Sequence, residues 1–286
     1  MASLPPGLKK GCGWEGVRRE MEANRRRWDE SVAHHYVSRD YDVSGFKRGR
    51  LSVHRLEIDE IGPVRGKSLL HLQCHFGMDT LSWARLGARV TGVDFSRPAV
   101  IAARRLAEEC GLSARARFVE SDVYDARRKL REKFDIVYTG KGALNWLPDI
   151  PRWARIVSRS LRPGGTLYFM ETHPVAGNRT DDSDGVKWGF DYPYFQRAPF
   201  RSVSAATYAT EGAVLKNVVE YDWQHTISEV LDSLIDAGLR IEFVHEFPFT
   251  FWGAHPTMRR GRDGWYRFRR GHGNVPMMWS VRARRE

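Results

Sequence analysis

The segment Ser68–Ser96, SLLHLQCHFGMDTLSWARLGARVTGVDFS, predicts a strand, a tight loop, a helix and a second strand. It opens with Ser68–Leu72, a short apolar run of the kind found in strands that are buried on both faces. A loop that carries Gly77 follows, and apolar residues then recur at largely helical spacing. The second apolar run, Arg89–Val93, leads directly into Asp94. The segment therefore predicts a β–α–β unit with an acid at the carboxyl end of its second strand.

Asp94 occupies the place where nucleotide-binding α/β proteins hold a ribose, about 20 residues beyond the first turn. An ionised carboxylate offers two acceptor oxygens to two vicinal hydroxyls. This layout serves both NAD(P) and S-adenosylmethionine (SAM). A dinucleotide loop needs glycines for close approach to a pyrophosphate, but Gln73 and His75 stand where glycines would be expected. The loop therefore favours SAM, which has no phosphate.

The motif HLQCHFGxDT, followed by GVDFS, resembles motif I and the subsequent acid of class I SAM-dependent methyltransferases, in a divergent form. That family usually carries an acid near the position of His71, where it helps to hold the amino group of SAM. With a histidine there, we expect backbone carbonyls or other side chains to hold the amine. The residues of this segment that the resemblance places against SAM are His71, Gln73, His75, Gly77, Asp94 and Phe95.

Later features match the same family. Asp122 and Val123 follow the third predicted strand, where an acid and the next N–H hold adenine. Gly140 ends the fourth strand, where family members offer a carbonyl to the SAM amino group, and Trp146 lies in a short flanking helix. The L-R-P-G-G turn at 161–165 leads into strand five. The resemblance implies an α/β, Rossmann-like fold: a seven-stranded, mostly parallel sheet in the order 3-2-1-4-5-7-6, with helices on both faces.

The chain divides into three parts in this interpretation. Residues 1–13 form a flexible N-terminus, 14–62 an N-terminal helical arm that covers the active site, and 63–286 the SAM-binding domain. The connection after strand five, about 174–225, is too long for a compact domain and predicts an inserted lid. A structural flap or a dimerisation arm remains the alternative for it. Its aromatic residues are Trp188, Phe190, Tyr192, Tyr194, Phe195, Phe200, Tyr208, Tyr221 and Trp223.

Composition narrows the class of protein. The net charge of +11 comes from arginines spread along the chain, and the motif [DN]-P-P-[YF] of base-amino methyltransferases is missing after strand four, so we do not expect a nucleic-acid substrate. Three scattered cysteines form neither a disulfide framework nor a metal site. With no long apolar run and no signal peptide, we expect a cytoplasmic protein without a membrane partner, as a monomer or homodimer.

Methyl transfer to a group with a removable proton needs a general base. The candidates are Glu171 and His173 after strand five, His225 before the next helix, and His35 and Tyr36 on the arm. We expect Trp146 and Phe46 to lie near the sulfonium of SAM.

The many rings around this site suggest an aromatic or heterocyclic small-molecule substrate. The pattern resembles bacterial natural-product methyltransferases, including those that methylate an indole carbon of tryptophan-derived compounds, with S-adenosyl-L-homocysteine (SAH) as the second product. Methylation of RNA or another macromolecule, and SAM binding without catalysis, remain the alternatives.

Overall fold

The computed structural model describes residues 14–177, 193–210, 212–253, 257–268 and 275–286. The segment 1–13, expected to be flexible, lies outside the described residues, as do Trp188, Phe190 and Tyr192 of the expected lid. The eleven strands are β1 (Ser68–Leu72), β2 (Arg89–Asp94), β3 (Ala116–Glu120), β4 (Phe134–Gly140), β5 (Leu161–Thr172), β6 (Phe200–Val203), β7 (Val219–Asp222), β8 (Leu239–Phe247), β9 (Met258–Arg260), β10 (Tyr266–Phe268) and β11 (Met278–Arg285).

Nine α-helices accompany these strands in the described part of the chain. None of them combines the length and the apolar character that a membrane span requires. The helices are α1 (Arg18–Val37), α2 (Val43–Lys47), α3 (Arg55–Ile61), α4 (Met78–Arg85), α5 (Arg97–Glu109), α6 (Ala126–Lys129), α7 (Ile150–Ser160), α8 (Pro174–Gly177) and α9 (Ile227–Asp236).

Seven strands form one sheet in the order β3-β2-β1-β4-β5-β11-β8. The first five run parallel, and β11 is antiparallel to both of its neighbours, with Val281 opposite Phe169 on β5 and Val244 on β8. The predicted order, with the last strand inserted between the fifth and the sixth of the main sheet, is confirmed. Parallel strands place their carboxyl ends at one edge, so β1, β2, β3 and β4 deliver their following loops to the same region.

Alternate residues of the central strands pack on opposite faces of the sheet. Phe169 on β5 contacts Trp153 of α7 in one core cluster, whereas the next residue, Met170, belongs to a second cluster with Trp83 of α4. Each of these side chains is fully buried. Burial on both faces explains why these strands read as continuous apolar runs in the sequence.

Phe46, predicted to lie near SAM, has a packing role instead. Its ring is 1% exposed and belongs to a core cluster with Phe76 and Phe118, and the Arg85 guanidinium stacks 4.1 Å from its centroid. The prediction is corrected because Phe46 sits on the buried side of α2, where its ring closes the core beneath the arm.

Helix α1 binds the β6–β7 hairpin through hydrogen bonds from a row of polar side chains that are spaced about one turn apart. Asn24 exchanges two hydrogen bonds with the backbone of Tyr221, at 2.6 and 2.8 Å. Arg27, 7% exposed, pairs with Glu220 and donates to three carbonyls of residues 204–217. Glu30 accepts from the backbone N–H groups of residues 216 and 217. The arm and the described part of the lid are therefore joined by a set of hydrogen bonds, of which those of Arg27 and Glu30 are charge-assisted.

A buried ionic network ties the arm to the sheet. Lys141, at the exit of β4, lies 3.2 Å from Glu57 of α3 and 2.9 Å from Asp79 of α4. Glu57 is fully buried, which raises the pKa of its carboxyl, and it also accepts the hydroxyl of Tyr138. Lys141 thus compensates two carboxylates that would otherwise lie uncompensated in the protein interior.

Replacing Lys141 by methionine should lower the free energy of unfolding by about 3–5 kcal/mol, because the buried carboxyl of Glu57 and the partly buried carboxylate of Asp79 lose their cation. Urea denaturation followed by circular dichroism measures this loss. The matched control is Arg55→Met, which breaks the exposed Arg55–Asp59 pair and should leave the urea midpoint unchanged. Equal midpoints for the two variants would contradict a stabilising role for Lys141.

Candidate active site

The loop between β1 and α4 adopts a backbone that glycine would adopt more easily. Gln73 and His75 have φ values of 59° and 50°, in the left-handed region that non-glycine residues enter at a cost of about 1–2 kcal/mol each. Gly77 is left-handed too, and a Cβ there would lie 2.6 Å from the ring of Phe118. Gly77 is therefore required by packing, while the side chains of Gln73 and His75 are retained despite backbone strain.

Asp94 holds this loop from the end of β2. Its two carboxylate oxygens accept the N–H groups of His75 at 2.7 Å and Ser96 at 2.9 Å. Asp94 is 6% exposed, and burial raises the pKa of its carboxyl to about 6. The neighbouring Phe95, half-buried, also directs its N–H to Asp94.

Asp29 of α1 faces this same region and was missed in the sequence. The Oδ1 atom of Asp29 is buried and has no hydrogen-bond partner among the described residues. Its negative charge lies close enough to Asp94 to contribute, after burial, to the raised pKa of that carboxyl. Two carboxyl groups, one from the sheet and one from the arm, therefore face the same site, and Oδ1 of Asp29 has no donor among the described residues.

The end of β3 supplies a second acid. Asp122 accepts the N–H of Tyr124 at 2.8 Å, and burial raises the pKa of Asp122. Val123 is buried beside it. Arg25 of α1 lies within electrostatic range of Asp122.

His71 does not replace the acid that is usual at its position. Its Nδ1 lies 2.8 Å from the hydroxyl of Thr80, and its ring packs edge-on against Tyr138 at 4.6 Å. The ring is 4% exposed, and burial lowers its pKa to about 4. His71 is therefore a neutral core residue beneath the loop, because α4 covers it.

The side chain of Gln73 spans the gap between two loops. Its Nε2 donates to the carbonyl of Ala143 at 2.8 Å, whereas its Oε1 is buried without a partner among the described residues. Gly140 lies nearby at the end of β4, where a Cβ would come within 2.7 Å of the Met170 carbonyl oxygen. Gly140 is thus required by the tight pairing of β4 with β5.

Six rings from four segments form an aromatic cluster at this edge of the sheet. Trp28 is central: its ring lies 5.3 Å from His75 and 5.3 Å from Trp146, edge-on in both cases. Trp146 is half-buried at the end of a short 3-10 helix, Leu144–Trp146, in the connection after β4. The cluster comprises Trp28, His35 and Tyr41 of the arm, His75 of the loop after β1, Trp146, and Tyr208 of the lid.

Two imidazoles within the cluster are joined directly. His35 Nδ1 lies 3.1 Å from His75 Nε2, and His35 Nε2 lies 2.6 Å from the hydroxyl of Thr207. Burial lowers the pKa of His35 to about 4 and that of His75 well below its usual value, so both rings are neutral near pH 7. The three side chains form a hydrogen-bonded line from the β1 loop through the arm to the lid.

The other base candidates do not reach this pair. Both nitrogens of His173 are occupied, one by the Val175 N–H and one by Glu246. His225 binds the carbonyl of Leu147 at 2.7 Å. Tyr36 directs its hydroxyl outward to Glu109 on α5.

Glu171, near the end of β5, holds the loop after β4 through hydrogen bonds. Its carboxylate accepts the N–H groups of residues 142–144, and it is 3% exposed. Burial raises the pKa of Glu171 to about 7, while the three N–H donors favour its charged form.

Tertiary contacts bring Trp28, Asp29 and Thr207 to the site, and we did not predict them, whereas Tyr208 was among the aromatic residues of the expected lid. A signal was available for Trp28, because it precedes His35 by two helical turns and so lies on the same face of α1. No comparable signal marked Thr207.

Comparison with known proteins identifies part of the chain. Residues 70–167 match a family model described as a methyltransferase domain. Over 112 residues the chain is 31% identical to the ubiquinone biosynthesis O-methyltransferase of Pseudomonas syringae pv. tomato, covering 39% of this chain and 47% of that protein. The ubiquinone biosynthesis O-methyltransferase of Actinobacillus pleuropneumoniae serotype 5b is 35% identical over 106 residues. The matched region covers 36% of this chain and 45% of that protein. The match thus spans about half the length of these curated relatives.

Solved structures extend the similarity. A SAM-dependent methyltransferase from Mesorhizobium loti superposes with a TM-score of 0.59 at 26% identity, covering 80% of this chain and 96% of that one. The glycopeptide N-methyltransferase MtfA in complex with SAM shares the fold, with a TM-score of 0.53 at 18% identity. The superposition covers 81% of this chain and 92% of that one.

Acid should destabilise the folded protein through its buried imidazoles. An unfolded histidine titrates near pH 6.5 and His35 near pH 4 when folded, so the unfolded state binds more protons between these values. Stability present above pH 6.5 is therefore lost as the pH falls towards 4, by about 1.4 kcal/mol per pH unit for each such imidazole. Urea unfolding at half-unit pH intervals should show a smaller slope for His35→Gln. Val37→Gln, at an exposed site on the same helix, is the control. Identical slopes for both variants would contradict the depressed pKa.

Proposed function

Because the chain carries a class I SAM-dependent methyltransferase domain, we propose that it transfers a methyl group from SAM to a small molecule with a flat aromatic body. An indole carbon of a tryptophan-derived compound is the favoured acceptor. The observation that carries this proposal is the aromatic cluster, which surrounds the neutral His35–His75 pair beside Asp94. Flat apolar substrates pack well against such rings.

The donors and acceptors at the site fit SAM. Its ribose hydroxyls and its ammonium are hydrogen-bond donors, and the site offers acceptors that lack partners, including Asp29 Oδ1 and Gln73 Oε1. We assign the ribose to Asp94, with Asp29 closing over it from the arm, and the adenine amine to Asp122. We leave His71 out of this set, because its Nδ1 is bound to the hydroxyl of Thr80 and its ring packs against Tyr138.

SAM supplies the methyl group on a sulfonium whose sulfur leaves as a neutral thioether. The rings of Trp28 and Trp146 are suited to attract the cation and to keep water out of the site. Because α1 carries Trp28 and also grips the lid, the arm and lid enclose the reacting groups together.

The His35–His75 pair is the base in this proposal, since no partner among the described residues occupies His75 Nδ1. His75 Nδ1 takes the proton from the acceptor, for an indole the N–H proton, as C3 attacks the methyl group. The proton on Nε2 of His75 is then transferred to Nδ1 of His35. The proton on Nε2 of His35 is transferred in turn to the hydroxyl oxygen of Thr207. Thr207 is half-buried and can release its own proton to water. Neutral imidazoles can accept and pass protons in this way.

Incubation with SAM and a panel of acceptors tests the substrate class. The panel contains tryptophan-derived diketopiperazines and tryptamines, phenols, aromatic amines and total RNA, and products are detected by mass spectrometry. We expect one added methylene on an indole compound. Methylation of phenols or amines alone would move the acceptor to oxygen or nitrogen, methylation of RNA alone would overturn the small-molecule assignment, and SAM binding without any product would indicate a non-catalytic protein.

Replacing His35 by glutamine should lower kcat about 100-fold or more while the dissociation constant of SAM changes little, because the proton relay is cut. The matched control is His34→Gln, one residue earlier on the same helix and outside the hydrogen-bonded line. Single-turnover rates and calorimetric SAM titrations separate chemistry from binding. If both variants keep the wild-type rate, the base lies elsewhere.

A further inference from the structure

Gln73 has a strained backbone conformation although it is not a glycine. Its φ of 59° lies in the left-handed region, which glycine adopts without steric cost, and the residue directly follows the last residue of β1. A position that keeps a long polar side chain despite this strain calls for a contribution from that side chain. The partner of its amide nitrogen is visible, but its amide oxygen has none.

The orientation of the amide is determined by its surroundings. Nε2 faces the carbonyl oxygen of Ala143 at 2.8 Å, and turning the amide over would set two acceptors against each other. Oε1 must therefore point the other way, where it is buried without a donor among the described residues. A buried acceptor in this state is unfavourable until a donor reaches it.

The charge around this oxygen favours a cation. Ala143, which anchors the Gln73 amide, also donates its own N–H to the carboxylate of Glu171 at 3.0 Å. Glu171 is a buried carboxyl whose charged form is favoured by the backbone N–H groups of residues 142–144, and no basic side chain is bonded to it among the described residues. A donor at Gln73 Oε1 that carried a positive charge would thus be attracted by Glu171 from behind the loop.

We propose that Gln73 Oε1 accepts a hydrogen bond from the ammonium group of SAM, with Glu171 supplying the balancing negative charge through the 142–144 loop. The inference rests on the proposed function, since it assumes that SAM occupies the site. An ammonium has three donors and no acceptor, so it matches an unpartnered amide oxygen. Gln73 then takes the role that an acid at the position of His71 would have, and His71 is free to be a core residue.

Two ligands and three variants test this assignment by calorimetry. The ligands are SAH and its analogue without the amino group, S-adenosyl-4-thiobutyrate. The wild-type protein should bind SAH about tenfold more tightly than the analogue, the change expected for one hydrogen bond to a charged group. Gln73→Gly should bind SAH about tenfold more weakly and the analogue with unchanged affinity.

The matched control is His75→Gly, which relieves the same backbone strain two residues further on. It should change the affinities for both ligands by the same factor. Thermal unfolding of Gln73→Gly should show equal or greater stability, since the strain is gone, so weaker SAH binding cannot be attributed to misfolding. Gln73→Asn, which tolerates the left-handed backbone but has a shorter side chain, should reproduce the loss if Gln73→Gly folds poorly.

Equal losses for SAH and the analogue in Gln73→Gly would overturn the assignment, because the residue would then act only through loop shape. The assignment would also be overturned if the wild-type protein bound SAH and the analogue with equal affinity. A wild-type protein that binds neither SAH nor SAM would refute the proposed function itself, which is a different outcome from these.

Discussion

A single line of hydrogen bonds connects the separate parts of this protein at its active site. The carboxylate of Asp94 binds the backbone of His75, the ring of His75 meets His35, and His35 reaches Thr207. These residues belong to the sheet, the β1 loop, the arm and the lid. The left-handed conformation at His75 directs its backbone N–H toward the sheet while its ring meets the arm. This line of hydrogen bonds links Asp94 at the end of β2 to the aromatic cluster.

The arm contributes to the site in two directions at once. One face of α1 carries Asn24, Arg27 and Glu30 to the lid hairpin, and the adjacent face carries Trp28 and His35 to the sheet edge. The β6–β7 hairpin is thus held by the arm, while the end of the lid is held by the loop after β4, where the N–H of Trp223 donates to the carbonyl of Asn145 at 2.8 Å. A helix with buried polar groups on one face and aromatic groups on the next has weak amphipathic periodicity, which explains its very polar sequence.

Much of the fold was predictable because its signals are local. The central strands β1, β2 and β4 contain short apolar runs, and the turns carry glycine or proline where positive φ or a stop is needed. Asp94 and Asp122 were identified because the position of an acid after a parallel strand determines its place in space. Phe46 was predicted wrongly because a short helix in an irregular segment gives no indication of which face it buries.

The site chemistry depended on contacts that local patterns do not contain. His35 bonds to Thr207 across 172 residues, and Arg27 to Glu220 across 193, so no spacing rule links them. Five residues qualified as bases by type, and burial and hydrogen-bond partners then distinguished among them.

The sequence by itself determined the strand order, the edge of the sheet where ligands bind and the class of cofactor, since periodicity and turn chemistry act over a few residues. Only the tertiary structure decided that His71 is buried, that Gln73 has an unpaired oxygen, and that Asp29 and Trp28 enter the site. Those properties follow from which surfaces exclude water once distant segments have packed together.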